Sequence, residues 1–351
     1  MERGARTVMV LASRFPFYNR TMHPIIIKFG GSSLADPEKI RRAAAILLSG
    51  RRRGLRPVAV VSAPADSTDD LLKLASLCAG DDRSPREDDA LLAAGEQISA
   101  ALLAMAIQAQ GAAAVSLTGF QAGIRTGRSF SCAEVRRVDT LRLAKELKAG
   151  RIPVVAGFQG ISPDGDITTL GRGGSDQTAV ALARALTASV CEFRSDVKGI
   201  YTAHPAIVPE ARKIKEISYC EVLALAALGT EVRQLRAVRY AARYAIPLHL
   251  RSSFHDEPGT RITADGGPAG VTCLSIAKAG ATGKIALIGR GLGKEHLEKA
   301  RAAAGAAGIS TGKASKAEYA VILTVPAAET EALLKTLHQV FITASPRPLA
   351  A

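Results

Sequence analysis

Tryptophan is absent from the 351-residue chain, and all aromatics together reach only 4%. Base-stacking platforms are therefore scarce, which weighs against single-stranded nucleic acid as a ligand. Cysteine is sparse as well: Cys78, Cys132, Cys191, Cys220 and Cys273 are odd in number and form no C-x-x-C pair. That spacing argues against a disulfide framework or a structural zinc site, and it suits a reducing cytoplasm. Each thiol is expected to be a small buried hydrophobe. No apolar run approaches the roughly 18–20 residues that cross a bilayer, so no membrane association is expected. Residues 1–22 have apolar runs too short for a signal peptide and no clear cleavage site. They read as a loose extension, with Met22 as an alternative start.

What is present fits a folded, anion-binding protein. Hydrophobic residues make up 47% and charged residues 22%, the balance of a globular chain long enough for two domains. Lys and Arg number 46 against 32 Asp and Glu, a formal net charge of +14 that would attract nucleic acid, a membrane surface or small anions. The one compact basic run, Arg51-Arg52-Arg53, lacks interleaved aromatics and reads as a solvated turn. Nucleic acid is therefore not expected as a partner, whereas small-molecule anions are.

Apolar runs alternate with helical patterns along most of the chain. Strands are expected at 24–29, 58–62, 113–117, 152–158, 190–193 and 246–251. Helices are expected at 36–48, 68–78, 90–110, 175–186, 219–228 and 232–244, with a solvated loop over 81–88. Alternation of this kind implies an α/β domain with a mainly parallel sheet covered on both faces. Gly, Pro, Thr and Asp gather around 258–270, a linker signature, and a stray strand follows at 271–277. Strands at 284–289, 310–315, 318–325 and 340–343 with helices at 294–307 and 327–339 then give a βαββαβ order, the ferredoxin-like motif. The expected boundaries are 1–22 for the extension, 23–262 for the large domain, 263–280 for linker and stray strand, and 281–351 for the small domain.

Two loops carry phosphate chemistry. Lys28-Phe-Gly-Gly-Ser-Ser33 closes the first strand and opens toward the first helix. Its glycines let the backbone approach an anion, the helix N-terminus adds amides, and Lys28 adds a full charge. It is not a Walker A loop, since no G-x-x-x-x-G-K-[ST] occurs. The second loop, Thr168-Thr-Leu-Gly-Arg-Gly-Gly-Ser-Asp176, precedes an apolar helix. There Arg172 suits a carboxylate gripped through two parallel hydrogen bonds, and the Gly173–Ser175 amides suit a transferring phosphoryl group. Asp176 suits Mg²⁺ or the nearby lysine; as a plainer alternative, Ser175 or Asp176 caps the helix.

The strings KFGGSSLADPEKIRRAA, GEQISAALLA (95–104), SLTGFQAGI (116–124), DGDITTLGRGGSDQTAVALA (164–183) and SDVKGIYTAHPAIVPEARKIKEISYCEVLALAALG (195–229) resemble the aspartokinases of the amino-acid kinase superfamily. The resemblance covers about residues 25–262. It implies a three-layer αβα catalytic domain followed by a small ACT-type regulatory domain. The reaction it implies is phosphoryl transfer from MgATP to the side-chain carboxylate of L-aspartate, the first step toward lysine, threonine and methionine. By motif position, Lys28 would neutralise the transferring phosphoryl and Asp176 would organise that lysine. Phe29, Gly30, Gly31, Ser32, Gly173 and Gly174 would cradle phosphate, while Ser195, Asp196 and Tyr201 would line the nucleotide pocket. Thr68, Glu96, Arg172 and Ser175 would hold the amino acid, with Glu96 on its ammonium group. A possible amino-acid effector and a homo-oligomer are further implications.

The chain departs from the family pattern at three places. Glu231 stands where the family has a lysine reaching ATP phosphates, Ala206 and Lys198 replace charges at the nucleotide end, and Ser62-Ala-Pro-Ala-Asp-Ser-Thr-Asp69 lacks the usual glycines. Arg194, Lys198 and Arg233 are candidates to restore the missing charge, and His204 is expected to be an exposed loop residue. The departures leave two alternatives: a degenerate homologue acting as a binding or regulatory protein, or a kinase for another carboxylate-bearing amino acid. From 271 onward there is room for one ACT-type domain where the family usually has two.

Overall fold

The computed structural model describes residues 23–228 and 235–344, so the 1–22 extension, Glu231 and Arg233 lie outside the described residues. The first half begins β1 (Pro24–Phe29), α1 (Pro37–Arg52), β2 (Arg56–Val61), α2 (Ser67–Ala79) and α3 (Pro85–Ala109). It continues β3 (Ala114–Leu117), β4 (Ile124–Thr126), β5 (Val135–Val138), α4 (Leu141–Lys148), β6 (Ile152–Ala156), β7 (Gln159–Ile161) and β8 (Ile167–Thr169). Then come α5 (Gly174–Ala185), β9 (Cys191–Ser195), β10 (Glu216–Ser218), α6 (Tyr219–Ala227), α7 (Leu235–Arg243), β11 (Leu248–Ser252) and β12 (Thr260–Thr263).

Eight of these strands form the main sheet in the order β10-β12-β11-β9-β1-β2-β6-β3. All neighbours run parallel except β11 and β12. The continuous apolar runs of β1 and β6 are buried along their whole length, as both-faced cover requires. Alternate side chains of β1 serve different cores: Ile26 packs with α5 and α6 residues, while Ile25, Ile27 and Phe29 pack with α1 and α3. Asp36 caps α1 by accepting the Lys39 N–H at 2.9 Å, with Pro37 in the first turn.

At 25 residues, α3 is long and apolar enough to cross a membrane by those two measures alone, contrary to the sequence expectation. Here it is a core helix, burying Ala100, Leu103 and Ile107 against α1 and the sheet. The expected loop over 81–88 is in part its first turn, opened by Pro85. By contrast α2 leans on α3 and buries none of its residues fully. Two of the five cysteines, Cys191 and Cys273, are the buried hydrophobes expected; Cys78, Cys132 and Cys220 are exposed.

The remaining chain forms β13 (Gly270–Ala279), β14 (Thr282–Arg290), α8 (Lys294–Ala306), β15 (Ala314–Ala317), β16 (Ala320–Pro326) and α9 (Thr330–His338). They make an antiparallel sheet in the order β13-β14-β16-β15. This corrects the βαββαβ reading. The strand set aside as stray at 271–277 is β13, hairpinned to β14 and occupying the edge that a final strand would take. The expected strand at 340–343 is a helical turn instead, continuing α9 with Phe341 and Ile342 buried. An edge already filled by β13 leaves that segment no ladder to join. The supposed linker at 258–270 likewise contains β12 of the main sheet.

Candidate active site

Parallel strands of one sheet deliver their following loops to a common edge, and ligands of open α/β sheets bind there, where crossovers diverge. Here β1 is flanked by β2 on one side and β9 on the other. The loops after β1, β2 and β6 and the N-terminus of α5 enclose a cleft of about 240 Å³. Lys28, Gly31, Thr68, Glu96, Arg172, Gly173, Gly174, Ser175 and Asp176 all line it, so most of the sequence-predicted residues meet in one place. Phe29 does not: it points the opposite way from Lys28 along the strand and is wholly buried among α1 and α3 side chains. Gly30, Ser32, Ser195, Asp196 and Tyr201 also lie outside this cleft. Ser195 borders Gly30 at its far side, Asp196 is exposed, and Tyr201 bridges to Lys213.

Lys28 Nζ sits 2.7 Å from Asp176 Oδ1, with both side chains largely removed from solvent. That carboxylate oxygen makes the ion pair and no well-angled hydrogen bond besides. The lysine is the penultimate residue of β1 and the aspartate lies in the first turn of α5, where the helix dipole favours negative charge. Gly173 takes a left-handed φ of +75° to start the helix without a capping side chain, so neither Ser175 nor Asp176 is a cap.

Glu96, on α3, is 4% exposed. Its Oε1 accepts the Ala63 N–H at 3.0 Å, while its buried Oε2 has no hydrogen-bond partner. Burial pushes its pKa up to about 7, against the opposing pull of the Ala63 N–H and the Lys28 charge. Arg172 faces the same cleft, exposed, and among the described residues its guanidinium has no hydrogen bond or ion pair.

Close packing holds this arrangement. Buried Asp89 accepts the Ser131 and Thr169 N–H groups and the Thr169 hydroxyl at 2.6–3.1 Å, tying α3 to the loop ahead of Arg172. Arg236 donates to the Leu170 carbonyl at 3.0 Å on the same loop. A methyl group on Gly157 would lie 2.8 Å from Ser175 Cβ and 2.9 Å from the Val61 carbonyl. Gly157→Ala is therefore expected to displace Ser175 and its neighbour Asp176 and to lower kcat/KM by about 10²-fold, since displacements near 1 Å cost that much. Steady-state kinetics beside a circular-dichroism melt check it; a variant as active as wild type would show that this contact positions nothing.

Sequence reasoning missed Ser62, Ala63, Ala65, Phe158 and Gly171 as cleft residues. Phe158 has a left-handed φ of +67°, and Ala65 one of +36°, conformations no residue-type signal announces. Of the charges proposed to compensate at the nucleotide end, Arg194 is buried against Glu192 and the Ser252 carbonyl, and Lys198 lies 3.6 Å from Glu257. His204 is exposed, as expected.

A mainly parallel sheet between helix layers, with a lysine–aspartate pair at a glycine-rich helix start, is the architecture of one family. The chain belongs to the amino acid kinase family, whose model matches residues 23–252. Within that family it is similar to the aspartokinases. It is 52% identical to the aspartokinase of Mycolicibacterium smegmatis over 237 residues, covering 67% of this chain and 56% of that protein. Against aspartokinase 2 of Bacillus subtilis it is 50% identical over 238 residues, 68% of this chain and 58% of that one. The chain thus spans a little over half the length of these curated relatives. Among solved structures, aspartate kinase from Synechocystis is 29% identical with a TM-score of 0.62, covering 93% of this chain and 71% of that one. E. coli aspartokinase III in complex with aspartate and ADP shares the fold at a TM-score of 0.74 and 22% identity, over 90% of this chain and 99% of that one.

Proposed function

We propose that the chain transfers the γ-phosphoryl group of ATP to the side-chain carboxylate of L-aspartate, giving 4-phospho-L-aspartate. The observation that carries this reading is the pairing, in one cleft, of an unpartnered buried Glu96 oxygen and an unengaged Arg172 with the Lys28–Asp176 pair. Glu96 would take the substrate ammonium, and Arg172 its α-carboxylate through two parallel bonds. Thr68 and Ser175 would complete the contacts. The side-chain carboxylate then points toward Lys28. A carboxylate is already a nucleophile, so no general base is needed, and positioning and charge neutralisation supply the rate. Lys28 would balance charge on the transferring phosphoryl, and the Gly173–Ser175 amides would donate to its oxygens.

The nucleotide would enter from the side of Gly30, Gly31, Ser32 and the 195–201 segment. Among the described residues, no three His, Cys, Asp or Glu side chains converge to hold a metal ion. Magnesium would enter as an ion carried on the ATP phosphates, where it offsets their charge. E. coli aspartokinase III has been solved with lysine and aspartate bound, which supports an amino-acid effector here, with the small sheet as an ACT-type domain. A homo-oligomer and a cytoplasmic setting go with the same reading.

Coupled ADP release from purified protein with MgATP and L-aspartate, beside L-glutamate, tests it. Aspartate-dependent turnover is expected, at most weakly matched by glutamate; turnover with neither acid, or with glutamate alone, would sink the proposal. A Glu231→Lys variant run alongside reports whether that departure lowers ATP use.

The acidity of Glu96 adds a pH signature. Its carboxyl is neutral in the empty site below about 7, and an ammonium group binds the carboxylate form. The kcat/KM for L-aspartate is therefore expected to climb about tenfold per pH unit up to pH 7 and then level off. The sign for stability is opposite. A carboxyl raised in the fold stabilises fully below its ordinary value, and that contribution is lost as pH rises through 7. A flat kcat/KM profile between about pH 6 and 8 would remove Glu96 from ammonium binding, since about one unit either side of 7 brackets the transition.

A further inference from the structure

The segment that leaves β9 beside Gly30 is held at two ends by different domains. Toward the main sheet, the Ile200 N–H donates to Thr260 Oγ1 at 2.9 Å, and the Thr260 hydroxyl lies 2.7 Å from the Ile214 carbonyl. Gly199, at φ +134°, packs so closely there that a methyl group would lie 2.7 Å from Thr260 Oγ1. Toward the small domain, the Leu274 N–H of β13 donates to the Thr202 carbonyl at 2.8 Å. Between these anchors the strand pairs with 212–214, through Thr202 N–H to the Arg212 carbonyl at 2.9 Å and Ile214 N–H to the Ile200 carbonyl at 2.8 Å.

The Thr202 side chain makes a second link. Its Oγ1 accepts the Arg212 N–H at 2.9 Å and lies 2.9 Å from Nε2 of His338, the last residue of α9. Burial, then the Arg212 charge, hold His338 below its ordinary pKa, and its Nε2 and the Thr202 hydroxyl share one hydrogen bond. Immediately downstream, Ala203 and Val208 are buried among Leu274, Leu333 and Leu337 of the small domain. Arg212 also reaches the Ile342 carbonyl at 3.0 Å. No residue of 202–212 or of the small domain lines the amino-acid cleft.

We propose that Thr202 and His338 are positioning residues that lock the 195–201 segment to the small domain, so that the packing of that domain sets nucleotide affinity while leaving amino-acid affinity alone. This rests on the phosphoryl-transfer reading, with 195–201 as a wall of the nucleotide site. Anything that shifts α9 against β13 then moves Thr202, and the strain passes up a short ladder fixed at its other end by Thr260.

Isothermal titration of the full chain with MgADP, and separately with L-aspartate, tests the lock. Thr202→Val keeps the shape and removes the hydroxyl; it is expected to weaken MgADP binding about tenfold, as loss of a buried hydrogen-bond partner does. Thr202→Ser keeps the hydroxyl and should stay within about twofold of wild type, and L-aspartate affinity should hold within about twofold in both variants. Should Thr202→Val fail to fold, His338→Gln and His338→Leu replace the pair, the first retaining and the second losing MgADP affinity. Unchanged MgADP binding in Thr202→Val, or equal weakening toward both ligands, would overturn the proposal. Wild-type protein that binds MgADP yet phosphorylates no aspartate would sink the functional reading while leaving the coupling measurable. Wild-type protein that binds no MgADP would end both.

Discussion

Replacing Lys28 with methionine is expected to slow phosphoryl transfer by about 10³-fold or more while leaving L-aspartate binding nearly intact, the scale seen when a charge on a transferring phosphoryl group is removed. Methionine keeps the apolar stem in the strand and deletes only the ammonium. The substitution also strands Asp176, which is 5% exposed and within 2.7 Å of that ammonium alone. Removing one partner of such a buried pair costs about 3–5 kcal/mol. Lys28→Met should therefore melt earlier as well as turn over slowly. The double variant Lys28→Met/Asp176→Asn separates the two effects, because it leaves no uncompensated charge: stability should largely return and activity should not. Single-turnover measurements beside urea unfolding would read both. A Lys28→Met protein within tenfold of wild-type rate, or a double variant restored in both respects, would remove the lysine from the chemistry.

Arg172→Met is the second large effect. Truncating one partner of a hydrogen-bonded charge pair costs about 2–5 kcal/mol, and the solvent exposure of Arg172 in the empty cleft places it toward the lower end. The KM for L-aspartate is expected to rise roughly 30- to 100-fold, with the KM for ATP nearly unchanged. Arg172→Lys should recover only part of this, since a point charge cannot reproduce the planar two-bond grip. If the methionine variant raised both KM values alike, the residue would be supporting the loop and not the substrate.

The sequence exposes the site where chemistry constrains residue type and leaves it hidden where geometry alone does. Lys28, Gly31, Arg172 and Asp176 could be named in advance because an anion near a backbone turn demands glycine and nearby charge, whereas Glu96 could be named only through the resemblance of the 95–104 string to the aspartokinases. Phe29 misled because motif membership says nothing about which way a strand residue points; the alternation of β1 sends it to the core. Ala63 and Phe158 were invisible for the converse reason, as small or apolar side chains whose backbone conformation places them at the cleft.

Among the elements, strands of five or six residues buried on both faces, such as β1 and β2, read clearly. The short pairs β4–β5 and β7–β8, of three or four residues each, left no periodicity to detect. At the C-terminal end, the short apolar run at 340–343 reads as a strand, and only the pairing of β13 with β14 settles why none can form there. Tertiary competition for a sheet edge is not written locally.

Helix α2 buries none of its residues fully, yet its first turn carries Thr68 into the wall of the cleft. A helix with so few apolar anchors is among the first segments to open transiently, and its amide protons should exchange with solvent faster than those of α3 or α5. On the proposed reading, an amino acid in the cleft would hold Thr68, and ligand binding would then lower the open population by mass action. At a hundredfold excess of L-aspartate over its dissociation constant, exchange across 67–79 should slow by up to about a hundredfold, if every opening of the helix releases the ligand. The border of the amino-acid site would then be a fold-on-binding edge, and protection of α2 would report substrate capture without any chemistry taking place.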